Sequence, residues 1–296
     1  MKRNLRYLSL LAAIFFVAAC KNDDDNSITP PRPYDEQYAV EKPLIEEYLK
    51  THYIASVDAD FNVQIDTLTI PAEQTSIWDQ TTYPLQNKQV SIDDVEMTLY
   101  YLVLNEGVGK QPTRADNVLA AYRGMRLDGT QFDYNPFPQT YSSLAGTILG
   151  WQELMPQFRG GEYIDEPGSP DPASFQNYGA GVMFLPSAFG YYNSAQVNIP
   201  SYSPLIFSFK LFDVTYADSD GDGILNKDET IEGVDIADYD TDGDDIPNYL
   251  DTDDDGDGYT TRQEIENPLT GEAYDFEDIP PCEGGIIKKH LDPACF

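Results

Sequence analysis

Three stretches of the acidic C-terminal region repeat one spacing of carboxylates. Asp218, Asp220 and Asp222 are followed by Ile224 and Glu229. Asp240, Asp242 and Asp244 are followed by Ile246 and Asp251, and Asp253, Asp255 and Asp257 by Tyr259 and Glu264. In a twelve-residue frame these are positions 1, 3, 5, 7 and 12, with position 7 offering its backbone carbonyl, the ligand spacing of a loop that wraps a calcium ion. Gly223 and Gly258 stand at position 6, where the chain must turn sharply. Asp245 takes that place in the middle copy, which is therefore the poorest of the three. A solvated acidic linker would carry the charge without the register, and three in-register copies argue against it. The net charge is −33, and 26 of the 51 acidic but only four of the 18 basic residues lie from Asp213 onward. Such a tail repels itself into an open coil unless cations neutralise it, and it is unsuited to nucleic acid for the same reason.

The second and third loops start thirteen residues apart. No flanking helices fit in that gap, which excludes a paired helix–loop–helix sensor. The arrangement resembles the thrombospondin type 3 repeats, which implies a chain wound around structural Ca2+ ions instead of around an apolar core. Residues 217–266 are then a calcium-binding region with little regular secondary structure, and calcium has no part in catalysis.

Between residues 34 and 216 the patterns describe the elements of a globular domain with an N-terminal appendage. Residues 35–52 carry a helical period, with Tyr38, Leu44, Ile45, Tyr48 and Leu49 toward one face and Pro43 separating the first turns. Residues 53–96 alternate weakly, as strands and turns. Residues 97–105 and 117–127 are rich in aliphatic and aromatic residues, as strands are. Asp128-Gly129 is a hairpin turn leading into Thr130-Gln131-Phe132. Trp151, Leu154, Met155 and Phe158 fall on one face of a short helix that Pro156 tightens or bends. Residues 205–214 read as a buried final strand.

Four ordered blocks in this region resemble the FKBP-type peptidyl-prolyl isomerases. They are the stretch from Val118 through Tyr122, Gly124 and Asp128-Gly129 to Phe132-Asp133, then Thr147-Ile148-Leu149-Gly150-Trp151. Phe184-Leu185-Pro186 through Phe189-Gly190 follows, and then Ile199-Pro200 through Leu205, Phe207 and Leu211. The resemblance implies an α+β fold over residues 97–216, an antiparallel sheet of about five strands wrapped over the short helix. It implies a proline pocket of Tyr122, Phe132, Asp133, Ile148, Trp151 and Phe207, with Tyr141 as a further aromatic wall. Two departures stand out. The Pro186–Gly190 segment is one residue short, so either Phe189 replaces the tyrosine that bonds a substrate carbonyl or Tyr191 substitutes by a register shift. Residues 163–181 form an insertion expected to border the cleft.

The residue types suit the chemistry independently. Rotating an X-Pro bond means breaking amide resonance, a barrier of about 18–20 kcal/mol, with no bond made or cut. An apolar aromatic pocket that strips water from the amide needs no nucleophile, metal or other cofactor. Trp151 is then the floor, Tyr122, Phe132, Ile148 and Phe207 the walls, and Asp133 an orienting acceptor. The two histidines, His52 and His290, are too few for a histidine-rich metal site; the first reads as helix surface and the second as part of a basic patch.

Residues 1–19 read as an export signal: Lys2, Arg3 and Arg6, an apolar run from Leu8 to Val17, then Val17-Ala18-Ala19-Cys20. That run is too short for a stable span. The box resembles a bacterial lipobox, which implies acylation of Cys20 and a membrane anchor; an ordinary signal cleaved elsewhere is the alternative. Lys21-Asn22-Asp23-Asp24-Asp25 resembles the acidic tract that sends some Bacteroidota lipoproteins to the outer surface, and residues 20–33 read as a tether. In residues 267–296, Cys282 and Cys295 are either a disulfide, contributing roughly 3 kcal/mol by loop closure, or two free thiols. Two readings of function follow. One is a lipid-anchored isomerase of the outer membrane, acting on proline-containing exported polypeptides. The other is a catalytically weak FKBP-like binding module on a calcium-stiffened stalk.

Overall fold

Dense runs of aliphatic and aromatic residues set the strands, because such side chains pack well on a pleated surface. The computed structural model describes residues 30–165 and 174–295. The expected export signal and Cys20 lie outside the described residues, as does the middle of the insertion. The elements run α1 (Tyr34–Thr51), β1 (His52–Val57), β2 (Val63–Thr67), β3 (Gln86–Ile92), β4 (Val95–Asn105), β5 (Asn117–Arg126), β6 (Gln131–Asn135) and β7 (Ser142–Ser143). Then come α2 (Leu149–Leu154), β8 (Glu162–Ile164), β9 (Ser174–Gln176), β10 (Gly179–Leu185), β11 (Leu205–Thr215) and α3 (Thr261–Glu264).

The main sheet is antiparallel, in the order β3-β4-β10-β11-β5-β6, with β7 pairing β5. It has seven strands instead of about five, because β3 adds an edge from the segment before residue 97 and β7 is a two-residue addition. Every residue of β10, in the middle, is buried. Side chains alternate across the sheet. Leu205, Phe207, Phe209 and Leu211 join Trp151, Leu154, Met155 and Phe158 on the front face. Ile206, Val182 and Leu102 join Ile45, Tyr48 and Leu49 of α1 on the back. The weakly patterned N-terminal segment thus covers the second face of the sheet.

Helix α1 runs unbroken through Pro43, contrary to the expected separation. An interior proline costs about 3 kcal/mol, but burial of Ile45, Tyr48 and Leu49 returns about 1.5–3 kcal/mol each. The first turns are tied as well, since the Thr98 amide donates to the Tyr38 hydroxyl at 2.8 Å. Leu44 faces solvent, and Gln37 and Glu41 are buried in its stead. After α2 the chain tightens into a 3-10 turn over Met155–Gln157 at Pro156.

The insertion is a short ribbon of β8 and β9, and Gly179–Gly181 already belong to β10. Phe175 and Tyr178 lie against Phe212, at ring-centroid distances of 6.0 and 4.8 Å. A bulge between Leu211 and Asp213 interrupts the alternation there.

The C-terminal region is not free of apolar packing: Ile224, Ile265 and Ile279 form a small cluster with Tyr274 and Phe276. Cys282 and Cys295 are joined in a disulfide with Cα atoms 5.7 Å apart. His290 is buried, not in a surface basic patch, and burial pushes its pKa down to about 4. His52 opens β1 and stacks on Tyr48 at 3.8 Å instead of standing on helix surface.

Candidate active-site cleft and cation loops

The register of three strands and the start of α2 bring the six predicted pocket residues to one cleft of about 530 Å³. Tyr122 comes from β5, Phe132 and Asp133 from β6, and Phe207 from β11. Ile148 caps α2 and Trp151 lies in it. The rings meet edge to face, the arrangement their quadrupoles favour. Trp151 stands 5.2 Å from Tyr122 and 5.6 Å from Phe207, and Phe132 is 5.5 Å from Phe207. Gly124 pairs with Phe207 on one side and Asp133 on the other. A Cβ there would lie 2.5 Å from the Phe132 ring, so only glycine lets this wall close.

The Tyr122 hydroxyl donates to Asp133 Oδ2 at 2.7 Å. Burial first, then this bond and the Asp133 charge, push the Tyr122 pKa up, so the phenol stays protonated. Helix α2 is held by Glu153, which accepts from Lys88 at 2.8 Å and Arg114 at 2.7 Å.

Two sequence expectations change here, and one choice left open between two residues narrows. Phe189 is packed in the front-face core, whereas Tyr191 lines the cleft. Burial and then the Asp133 charge raise the Tyr191 pKa. Tyr141 does not line the cleft, its hydroxyl donating instead to Asp213. None of the described insertion residues lines it either.

One residue escaped the sequence reading. Glu41 of α1, 2 % exposed, accepts from the Ser187 amide at 2.7 Å and from its hydroxyl. It fixes the turn that leads to Gly190 and Tyr191. Burial raises its pKa against those hydrogen bonds. The signal was its place four residues before Ile45 on the buried face.

In each acidic loop the position-1 carboxylate turns the chain by accepting backbone amides, as from Gly221 and Gly223 to Asp218 at 2.7 and 3.2 Å. Asp240 and Asp253 do the same at 2.8–3.0 Å. The position-7 amides of Ile224, Ile246 and Tyr259 donate to Asp222, Asp244 and Asp257 at 2.7, 2.8 and 2.7 Å. Gly223 and Gly258 have φ of +110° and +94°, and Asp245 is driven to +74° in the same place, which an aspartate tolerates at a cost.

Many carboxylate oxygens are buried without a hydrogen-bond partner among the described residues: one each on Asp220, Asp222, Asp253, Asp255 and Asp257, and both on Glu229 and Glu264. Burial first, then neighbouring carboxylates, push Asp222 to about 7, Glu229 to about 10 and Glu264 to about 8. Orphaned hard oxygens at this spacing fit a calcium ion. No such oxygen belongs to Asp240, Asp242, Asp244 or Asp251, and Asp251 accepts from the Asp253 amide at 2.9 Å. The middle loop is the most open.

Residues 214–289 match the family described as BamM C-terminal. The chain is also similar to the probable FKBP-type peptidyl-prolyl cis-trans isomerase FkpA of Neisseria meningitidis serogroup B, 37% identical over 97 residues, or 30% of this chain and 34% of that protein. The Escherichia coli K12 isomerase FkpA is 26% identical over 129 residues, covering 43% of this chain and 42% of its own. The crystal structure of FkpA from Escherichia coli aligns at 27% identity with a TM-score of 0.32, over 40% of this chain and 48% of that one. The chain is thus homologous, over part of its length, to FKBP-type isomerases, and it spans less than half the length of these curated relatives.

Proposed function

We propose that the chain is an FKBP-type peptidyl-prolyl isomerase acting on proline-containing exported polypeptides. The observation that carries this reading is the cleft itself: five aromatic rings and Ile148 around one space, with a single carboxylate, Asp133, engaged by Tyr122. A proline ring enters over Trp151 between Tyr122, Phe132 and Phe207. The planar amide is strongly solvated through its resonance charges, and the twisted amide less so. A dry aromatic wall therefore disfavours the ground state relative to the transition state. Asp133 holds the Tyr122 edge in place, and no proton is abstracted. The Tyr191 hydroxyl supplies the donor for a substrate carbonyl, the position for which Phe189 was the other candidate. The weak-binding alternative rested on the shortened turn before Gly190 and on the insertion; Tyr191 in the cleft, and described insertion residues that do not line it, favour the isomerase reading. The residues around the three loops would hold calcium, whose charge neutralises the acidic region. The pocket needs none for its chemistry. The lipobox-like segment at Cys20 supports an anchor to the outer membrane, and no helix among the described residues is long and apolar enough to cross a membrane. The test is the cis-to-trans rate of a short X-Pro peptide. A folded, calcium-loaded protein that gives no acceleration leaves only the binding-module reading.

A further inference from the structure

The three loops are not equivalent at position 2, and the difference leaves one buried aspartate without a local task. In the first loop the Ser219 amide donates to Asn226 Oδ1 and the Asn226 amide returns a bond to Ser219 Oγ, both at 2.9 Å. Thr241 and Asn248 repeat the pair in the second loop, again at 2.9 Å. In the third loop position 2 is Asp254 and position 9 is Thr261. Thr261 Oγ1 accepts from the Asp254 amide at 3.2 Å, but it provides no side-chain amide to occupy the carboxylate. Asp254 is 2 % exposed, and neither of its carboxylate oxygens has a hydrogen-bond partner among the described residues. The Asn248 amide, one of whose hydrogens goes to Thr241, faces this carboxylate as well, but it is neutral and brings no counter-charge.

The Asp254 carboxylate lies instead beside the first loop. One oxygen from each of Asp254, Asp222 and Glu229 lies within 4.8 Å of the others. All three residues are buried, and Asp222 Oδ2 and both Glu229 oxygens are also unpartnered. No lysine or arginine forms an ion pair with any of them among the described residues. Three buried like charges with no counter-charge are untenable unless something neutralises them. Unpartnered carboxylate oxygens of this density suit a hard divalent cation with six to eight oxygen ligands.

We propose that Asp254 joins Asp222 and Glu229 in a calcium site that spans the first and third loops, an inference that rests on the calcium reading of those loops. Asp254 is no ligand of its own twelve-residue frame, so its carboxylate can complete, from the third loop, the oxygen shell that Asp222 and Glu229 begin at positions 5 and 12 of the first. It ties together two loops that start 35 residues apart in sequence, and it makes filling of the first loop depend on the third being folded.

Equilibrium dialysis of the full chain against calcium chloride, with thermal unfolding in calcium and in chelator, tests the site. Asp254→Asn keeps the shape and removes the charge. It is expected to lower the bound calcium by one ion per chain and to shrink the calcium-induced rise in Tm. In chelator the variant unfolds no earlier than the unsubstituted protein, because one of three repelling charges is gone. Glu232→Gln, the same change of charge at an exposed position, keeps the full stoichiometry. Unchanged stoichiometry in Asp254→Asn, or an equal loss of Tm with and without calcium, overturns the shared site alone. An unsubstituted chain that binds no calcium overturns the loop reading with it.

Discussion

Gly124→Ala adds one methyl group to the cleft wall, and its consequences can be worked from the geometry. The new Cβ would lie 2.5 Å from Cε2 and Cζ of Phe132 and 3.0 Å from Cε1 of Phe207. Ordinary contact begins at 3.4 Å, so the Phe132 ring must withdraw by about 1 Å. Overpacking of this kind costs about 1–3 kcal/mol. The substitution returns about 0.5–1 kcal/mol, because glycine is the poorer residue within a strand. The net loss is about 1–2 kcal/mol, and the domain stays folded. Activity suffers more than stability, since displacing a group that positions substrate by about 1 Å can cost on the order of 100-fold. The assay is kcat/KM on an X-Pro peptide beside a chemical denaturation curve, with a fall of at least tenfold expected. Full activity at nearly unchanged stability would refute the claim that Gly124 lets Phe132 and Phe207 form the wall.

Three further outcomes follow from the same geometry. Glu41→Ala leaves the Ser187 amide and hydroxyl buried without their acceptor, a loss of about 1–3 kcal/mol readable by denaturant unfolding, with a fall in kcat/KM because the turn before Tyr191 loosens. If the loops hold calcium as proposed, chelation makes residues 217–266 far more open to limited proteolysis, because an ion that binds only the folded form stabilises it by mass action. Extracellular sites of this ligand type have dissociation constants of about 10⁻⁴–10⁻³ M, so millimolar calcium restores resistance. Equal lability in both conditions contradicts a calcium-organised region. Cys20→Ala leaves a soluble or uncleaved precursor, and a variant still fully membrane-bound on fractionation sinks the lipobox reading.

The strands β4, β5 and β11 and the helix under Trp151 were legible because their patterns are strong and local. The grouping of Tyr122, Phe132, Asp133, Ile148, Trp151 and Phe207 came instead from the resemblance of four ordered blocks to the FKBP-type isomerases. Where long-range contacts decide, the sequence was a poor guide. Pro43 looked like a break, yet the buried face of α1 outweighs its lost hydrogen bond. Phe189 and Tyr191 differ by two positions in a turn whose register is set by Glu41, 146 residues before Ser187 in the chain. The insertion was placed beside the cleft, but it packs on Phe212, which sits in a bulge of β11, and none of its described residues lines the cleft. Asp254 escaped notice because position 2 is not a ligand position in a single loop, and only the fold sets it beside Glu229.

The central claim is that the aromatic cleft twists X-Pro amides, and its most direct test is the isomerase rate of Trp151→Ala and Phe207→Ala beside Asp218→Ala. Truncating either ring costs about 3–5 kcal/mol of stability, so folding is checked first by circular dichroism. The account predicts that the unsubstituted protein accelerates cis-to-trans conversion, that the two cleft variants lose most of that rate while folded, and that Asp218→Ala keeps it. Unchanged rates in the folded cleft variants would contradict it.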